Sequence, residues 1–326
     1  MQKFCQLKNW LHLCGVVDIY NTTTSKIIYE MKKVFITAII SLTAVMSLNA
    51  QLLWKISGNG IERDSYIFGT HHIAPVTMLD SVPGFNDALK AVDAIYGEVA
   101  MEDMNSPKFF AMMQQAVMAP ADSTLDKVLT PLQLDSVAAF LGKYIGAQFD
   151  IKMLYPMKPS AITSQLAILM SKKIFPDFEP SKQIDLTIQS RAKALGKKNG
   201  GLESVSDQVK ALFGNPISQQ AEELMETVRD EDKALKQALT LATAYRSQDL
   251  GKITSIIFDP DNGMTEEEQQ RLMNERNNKW AQFLIGFLPT ASVMVVVGAG
   301  HLPGNNGLIN LLQKAGFNVT PVTEQP

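Results

Sequence analysis

The sequence predicts an α/β protein with a central mixed sheet built from strands near both ends of the mature chain and a large helical insertion between them. Two observations predict this class. Short runs rich in Val, Ile, Tyr and Phe, which are typical of strands, occur near both ends. Between them, over about 106–289, apolar residues mostly recur with helical spacing.

Six runs are candidate strands. They lie at 52–57, 65–70, 94–100, 197–204, 291–298 and 317–322. The run at 197–204 is the only strand candidate inside the helical part of the chain. The remaining runs belong to the two terminal parts, so these parts must pair with each other in space to make one sheet.

Residues 31–50 have the features of a secretory signal peptide, with two lysines, an apolar core and the small residue Ala50 at the end. The apolar core, 34–46, is shorter than the about 20 residues that a membrane span needs. We therefore expect a periplasmic or secreted protein whose mature chain is not stably inserted in a membrane. Residues 1–30 are interpreted as a mis-assigned extension upstream of Met31, and 51–326 as a single domain.

Composition excludes several classes of site and partner. Both cysteines, Cys5 and Cys14, fall within residues 1–50, so the mature chain has neither a disulfide nor a thiolate metal site. Removing residues 1–50 takes away five of the 30 basic and two of the 33 acidic side chains, which leaves an acidic chain. No basic patch indicates nucleic acid as a partner.

Two candidate strands end in the same pattern, Gly-x-x-His. The first is Gly69 to His72 and the second is Gly298 to His301, in a chain that has only four histidines. Ligands bind at strand ends in open α/β sheets, and imidazole supplies a metal ligand or a general base near neutral pH. The repeated pattern therefore predicts that His72 and His301 belong to one site.

Two glutamates follow or interrupt apolar runs in a similar way. Glu98 is predicted to lie within an apolar strand next to the one that ends at His72, where a carboxylate is costly unless it is paired or binds a cation. Glu203 follows the glycines of the strand at 197–204, and an ordinary position before a helix explains it equally well. Both are candidate ligands or catalytic acids and bases.

A polar helical face and a glycine-containing loop complete the candidates. Arg276 lies in "NERNNKWAQFL", which a solvated helix anchored by Trp280 explains nearly as well as a site does. The loop 303–307 leads into an amphipathic helix whose free N–H groups could hold an oxyanion.

Several motifs, in this order, resemble the TraB/GumN (pheromone-shutdown) family, which includes the TIKI metalloproteases and is similar in fold to ChaN and the erythromycin esterases. They are "FGTHHIAP", "AIYGEVAM", "MKPSAI", "QIDLTIQSRAKALGKKNGGLESVSDQ", "ERNNKW" and "VVVGAGHLPGNNGLINLLQKAGFNVTPV". Together they span nearly the whole mature chain. The resemblance implies a compact α/β fold in which two histidines and acidic residues meet in one cleft.

The resemblance also assigns positions. It implies that the first site histidine is His72 and not His71, that His301, Glu98 and Glu203 share the site, and that Gln208 and Arg276 match family positions. The family's K/R-P-W is Lys158, Pro159 and Ser160 here, which implies that an aromatic wall of the cleft is missing.

Taken together, these residues indicate an exported metal-dependent hydrolase that acts on a peptide or protein. His72, His301, Glu98 and Glu203 are the candidate ligands of a divalent Mn, Co or Zn ion, and Glu98, Glu203 and Arg276 are the candidate catalytic residues. Two alternatives stay open. One is a metal-independent hydrolase with His72 as base and Glu98 as its partner, and the other is a non-catalytic protein that binds a peptide or signal.

Overall fold

A six-stranded mixed sheet forms the centre of the protein. The computed structural model describes residues 51–146, 149–259 and 264–323, and the predicted signal peptide and N-terminal extension lie outside them. The strands are β1 (Leu53–Ser57), β2 (Ser65–Thr70), β3 (Ala94–Gly97), β4 (Lys198–Gly201), β5 (Val293–Gly298) and β6 (Asn318–Pro321). Their order in the sheet is β4-β3-β5-β2-β1-β6.

Four neighbouring strands are parallel, and this part of the sheet positions the site. Strands β4, β3, β5 and β2 run in one direction, and β1 and β6 add antiparallel pairs at one side. Strand β5 lies between β3 and β2, and Val293–Val297 are all buried. A continuous apolar run of this kind is what a strand covered on both faces requires.

Helices fill most of the described chain between β3 and β5, and one further α-helix lies before β3 and another after β5. In chain order the α-helices are α1 (Phe85–Ala91), α2 (Met101–Met104), α3 (Pro107–Val117), α4 (Leu125–Val128), α5 (Pro131–Ile145), α6 (Pro159–Ile174), α7 (Ile184–Ala194), α8 (Val205–Phe213), α9 (Ile217–Arg229), α10 (Glu231–Arg246), α11 (Leu250–Ile257), α12 (Glu266–Gln269), α13 (Glu275–Phe287) and α14 (Leu308–Lys314). A π-helical segment, Gln270–Asn274, joins α12 to α13, and 3-10 turns occupy Val76–Ser81, Ile151–Leu154 and Ala299–His301. Within the described residues, no helix is both long and apolar enough to cross a bilayer.

Three apolar clusters hold these layers together. One lies on the face of the sheet that carries Phe68 and Val296, and a second lies on the opposite face with Ile67 and Val295. A third cluster is formed within the helical part, around Phe140 and the helices packed on it. The alternation of Ile67 and Phe68 between two faces is the period of two that a strand imposes.

The predicted fold is confirmed. The terminal strands meet in one mixed sheet, and the helical insertion, with β4 inside it, lies between β3 and β5. One detail was wrong: Glu98 does not lie within a strand, because β3 ends at Gly97. Its carboxylate is therefore presented at a strand end, as the other candidate side chains are.

The Phe68 side chain is fully buried and lies 4.9 Å from Phe85 between ring centres. We expect Phe68→Ala to lower the free energy of unfolding by about 3–5 kcal/mol, because it leaves a cavity in a closed core. Urea denaturation measures the change. The control is Leu132→Ala, since Leu132 is 77% exposed and its loss leaves no cavity; equal midpoints for the two variants would contradict the packing described.

Candidate active site

The candidate residues lie at the carboxyl ends of the four parallel strands. Strand β2 leads to His72, β3 to Glu98, β4 to Glu203 and β5 to His301. Because the four strands are parallel, their carboxyl ends meet at the same edge of the sheet, which is where open α/β sheets bind ligands. Residues that are up to about 230 positions apart in the chain are thereby brought to one place.

Backbone hydrogen bonds fix the two glutamates side by side. The N–H groups of Leu202 and Glu203 both donate to the Glu98 carbonyl, at 3.0 and 2.9 Å. This approach requires glycine at the end of β4, because a Cβ on Gly201 would lie 2.6 Å from the Ala100 nitrogen. The segments that follow β3 and β4 are thus held in a single arrangement.

The guanidinium of Arg276 joins both glutamates from helix α13. Its Nη2 donates to Glu98 Oε2 at 2.7 Å and to Glu203 Oε1 at 2.7 Å, and its Nε donates to Glu203 Oε2 at 3.0 Å. The side chains of Arg276, Glu98 and Glu203 are 11%, 10% and 1% exposed. This is a buried ion cluster in which each carboxylate needs the cation.

All five N–H donors of Arg276 are in use. Its Nη1 donates to the Leu272 carbonyl at 3.0 Å and lies 3.1 Å from His301 Nε2. The guanidinium also stacks 4.6 Å from the ring centre of Trp280, which is fully buried. In this arrangement Arg276 can donate to a substrate oxygen only by exchanging one of these bonds.

Asn277, the residue after Arg276, orients His301. The Asn277 Nδ2 donates to the carbonyls of His301 and Asn306, so its Oδ1 is the acceptor that faces His301 Nδ1 at 2.7 Å. The proton of His301 therefore resides on Nδ1, and Nε2 keeps its lone pair. Burial lowers the pKa of His301 to about 4, against the attraction of Glu98, and keeps the ring neutral.

Asp185 on helix α7 orients His72. One carboxylate oxygen lies 2.8 Å from His72 Nδ1, and the other accepts from the Thr70 hydroxyl at 2.6 Å. The His72 side chain is 62% exposed, and the Asp185 carboxylate raises its pKa to about 9. A carboxylate on Nδ1 leaves Nε2 to face the cleft, which is the arrangement typical of imidazoles that bind metals.

The neighbouring histidine, His71, also lines the cleft, but its ring packs against aromatic side chains. Its ring makes edge contacts with Phe175 and Tyr245, at 5.7 and 5.5 Å between ring centres. Burial lowers the pKa of His71 to about 4. Of the two adjacent histidines, His72 is the one whose Nε2 faces the end of β5.

Three side chains surround one point beside Gly298. A Cβ placed on Gly298 would lie 3.5 Å from Glu98 Oε1, 3.6 Å from His301 Cδ2 and 3.7 Å from His72 Nε2. The distance from Glu98 Oε1 to His301 Nε2 is 3.9 Å. All three residues line a cleft of about 530 Å³, whereas Glu203 is absent from its lining.

The two glutamates differ in their tendency to hold a proton. Burial favours the neutral acid at Glu98, but the neighbouring cationic groups and the Gly298 N–H outweigh it, and the pKa of Glu98 falls to about 2. Burial raises the pKa of Glu203, although Arg276 opposes the shift. Of the two glutamates, Glu98 therefore holds its negative charge more firmly.

The donor types at this point suit a divalent cation. Two imidazole Nε2 atoms and a carboxylate oxygen form the mixed set that Zn, Mn and Co accept, with bonds of about 2.0–2.2 Å for Zn. Within the described residues, however, no three His, Cys, Asp or Glu side chains form a ready-made metal site. One physical reason is that the Arg276 Nη1 occupies the lone pair of His301 Nε2, so binding a cation there requires that bond to break.

The structure thus brings most of the sequence-predicted residues together. His72, Glu98, Arg276 and His301 line the cleft, and Gln208 joins them by donating to Glu98 Oε2 at 3.2 Å. Glu203 lies behind Arg276. Whether these residues bind metal or catalyse stays a prediction.

Two segments that the sequence linked to the site, Ser160 and the loop 303–307, do not line the cleft. The Ser160 hydroxyl donates to Gln220 Oε1 at 2.7 Å, within the helical part of the chain. In the loop 303–307, the Gly307 N–H donates to the Gly304 carbonyl, and the Ile309 N–H beyond it donates to the Leu302 carbonyl. These two N–H groups are therefore paired within the protein.

Asp185 and Asn277 are site residues that the sequence did not predict. Each orients a histidine, and each lies on a helix that is separated in sequence from the strand leading to that histidine. The only available signal was their position inside motifs, since Asp185 is in "QIDLTIQ" and Asn277 is in "ERNNKW".

Fold and site together define an α/β protein with a His, Glu and Arg centre at the carboxyl ends of parallel strands. The profile of the TraB/PrgY/gumN family matches residues 52–321. The chain belongs to this family, as the motifs indicated.

The relatives include proteins named as metalloproteases. Metalloprotease TIKI1 of Xenopus tropicalis is 24% identical to this chain, and the match covers 79% of this chain and 60% of the relative. Metalloprotease TIKI2 of Danio rerio is 23% identical to this chain, and the match covers 83% of this chain and 61% of the relative. The chain therefore spans about 60% of the length of these relatives. No solved structure gives a significant match.

The ion cluster yields a stability prediction. We expect Arg276→Met to lower the free energy of unfolding by about 3–5 kcal/mol, because it leaves Glu98 and Glu203 buried without a cation. Urea denaturation measures it. The matched double variant, Arg276→Met with Glu203→Gln, should lose less, because one of the two orphaned charges is gone. Full stability in Arg276→Met would show that the cluster does not hold the strand ends.

Proposed function

We propose that this protein is an exported, metal-dependent hydrolase that cleaves peptides. The observation that carries the proposal is the convergence of His72 Nε2, Glu98 Oε1 and the His301 ring on one point in the cleft. The names of the metalloprotease relatives support hydrolysis of a peptide bond. The predicted signal peptide at 31–50 supports export to the periplasm or beyond the cell.

His72, His301 and Glu98 are the proposed metal ligands. Asp185 and Asn277 hold the two imidazoles so that each aims Nε2 at this point, and ionised Glu98 offers Oε1 beside them. Because the pKa of His72 is raised, its Nε2 must release a proton to bind the cation. When bound, a divalent cation supplies a water of lowered pKa and polarises a carbonyl oxygen. The protein's part is to orient these donors and to enclose the reacting group in a cleft.

Glu203 and Arg276 take supporting roles in this proposal. Glu203 is enclosed behind Arg276 and fixes the guanidinium with two hydrogen bonds. Arg276 in turn places a positive charge beside the point where a substrate oxygen gains negative charge. Glu203 is thus a positioning residue, whereas Glu98 is the glutamate that can reach a substrate.

A second candidate uses the same cleft without a metal. The contact between Asp185 and His72 is a carboxylate paired with an imidazole, which is the arrangement that orients a catalytic base in serine hydrolases. In this version His72 moves the proton of the attacking group. Cleavage that persists after exhaustive chelation would favour this candidate over the metal-dependent one.

We expect the purified chain to bind Mn²⁺ or Co²⁺ and to cleave members of a peptide library, and we expect His72→Ala and His301→Ala to lose both properties. Titration calorimetry measures metal binding, and mass spectrometry detects cleavage. The matched control is His71→Phe. The His71 ring contacts two aromatic rings, so the phenylalanine variant should keep both metal binding and cleavage. Native metal stoichiometry in His301→Ala would refute its role as a ligand.

Substitutions of the two glutamates should have different effects on metal binding and kcat in the same assays. We expect Glu98→Gln to weaken metal binding and to lower kcat at least about a hundredfold, because a donor in the cleft is lost. Glu203→Gln should keep the metal and lose a smaller part of kcat, because it acts only through Arg276. Loss of the metal in Glu203→Gln with retention in Glu98→Gln would reverse the assignment.

A further inference from the structure

One side of the cleft is apolar and comes from the helical part of the chain. Helices α10 and α11 each contribute a pair of residues four positions apart, which places each pair on one helix face. The π-helical segment contributes two more residues. The set, which we call the apolar wall, is Leu241, Tyr245, Ile253, Ile257, Leu272 and Met273.

The apolar wall directly adjoins the proposed reaction centre. A Cβ placed on Gly300 would lie 3.0 Å from Ile257 Cδ1 and 3.3 Å from Met273 Cε. Gly300 immediately precedes His301. A substrate group that contacts Ile257 and Met273 therefore lies beside Gly300, the residue before the proposed metal ligand His301.

The wall combines a rigid base with an accessible surface. Tyr245 is buried and donates to the Gly69 carbonyl at 3.2 Å, which ties the base of the wall to the end of β2. Leu241, Ile257 and Met273 are only partly buried. Their free apolar surface faces a concave space, where covering it by an apolar group releases water and stabilises the complex.

The apolar wall carries no charged side chain, and the polar groups of the cleft are already paired. Glu98, Arg276 and the histidines are paired with one another or with Asp185 and Asn277. A charged substrate group placed on the wall would lose its hydration without a partner there. The wall therefore selects against charged groups as well as for apolar ones.

We infer that the apolar wall is a subsite for one large aliphatic or aromatic side chain of the substrate, next to the bond that is cleaved. The inference rests on the proposed function and adds a substrate class to it, namely peptides with a large apolar residue beside the scissile bond. Leu241 and Met273 are the specificity-determining residues.

A series of otherwise identical peptides tests the inference, with Gly, Leu, Phe, Lys or Asp at each position in turn around the cleavage site. We expect Leu or Phe at one position to raise kcat/KM at least about tenfold over Gly, since each methylene missing from an apolar pocket changes kcat/KM about 10–200-fold. Lys and Asp at that position should be the poorest substrates.

Two variants locate the effect. Leu241→Ala should reduce the preference for Leu over Gly several-fold, whereas Leu239→Ala, on the same helix but 51% exposed and outside the cleft lining, should keep it. Met273→Glu should invert the order of the Leu and Lys peptides. Because this reversal is a gain for the Lys peptide, it cannot result from misfolding.

The outcomes separate the two proposals. If the native protein with Mn²⁺ or Co²⁺ cleaves none of the peptides, the proposed function fails. If it cleaves them all at similar rates, or if Leu241→Ala and Leu239→Ala have the same preference as each other, the protein is a peptidase and the subsite is refuted.

Discussion

The buried guanidinium of Arg276 is the interaction on which the rest of the site depends. It neutralises two carboxylates that come from the ends of two different strands, and it contacts His301 at the end of a third. Burying three charged groups costs solvation that a well-packed apolar cluster would not. The arrangement is therefore better explained by the geometry it imposes on the strand ends than by a gain in stability.

This constraint also links the sheet to the helical part of the chain. Helix α13 supplies Arg276, Asn277 and Trp280, and the π-helical segment just before it supplies the Leu272 carbonyl that accepts from Arg276. π-Helical turns occur frequently at functional sites, because the extra residue redirects the side chains that follow. The same segment carries Met273 in the apolar wall. One stretch of about ten residues thus positions the ion cluster, orients a histidine and shapes the cleft.

Much of the fold could be predicted from the sequence because its signals are local. The apolar runs of β2 and β5 and the helical periodicity between β3 and β5 specify their own secondary structure. The strand-end glycines indicated where His72 and His301 lie. The boundary of β3 was placed too late, since the valine at 99 continues the apolar run although the strand has ended at Gly97.

The connections between these elements could not be predicted in the same way. That Asp185 pairs with His72 depends on how α7 packs on the sheet, and that Asn277 faces His301 depends on the helix register set by the π-helical segment. The pairing of Glu203 with Arg276, and its consequent exclusion from the cleft, likewise follows only from tertiary packing. Family motifs identified the right segments but not the bonds between them.

The central claim is that His72, Glu98 and His301 share one ion beside Gly298. Anomalous diffraction from crystals of the chain soaked with Mn²⁺ tests this most directly. We expect a single strong peak within bonding distance of His72 Nε2, His301 Nε2 and a Glu98 oxygen, with Arg276 moved off His301. A peak bound by other residues, or saturating Mn²⁺ with no peak at this point, would contradict it.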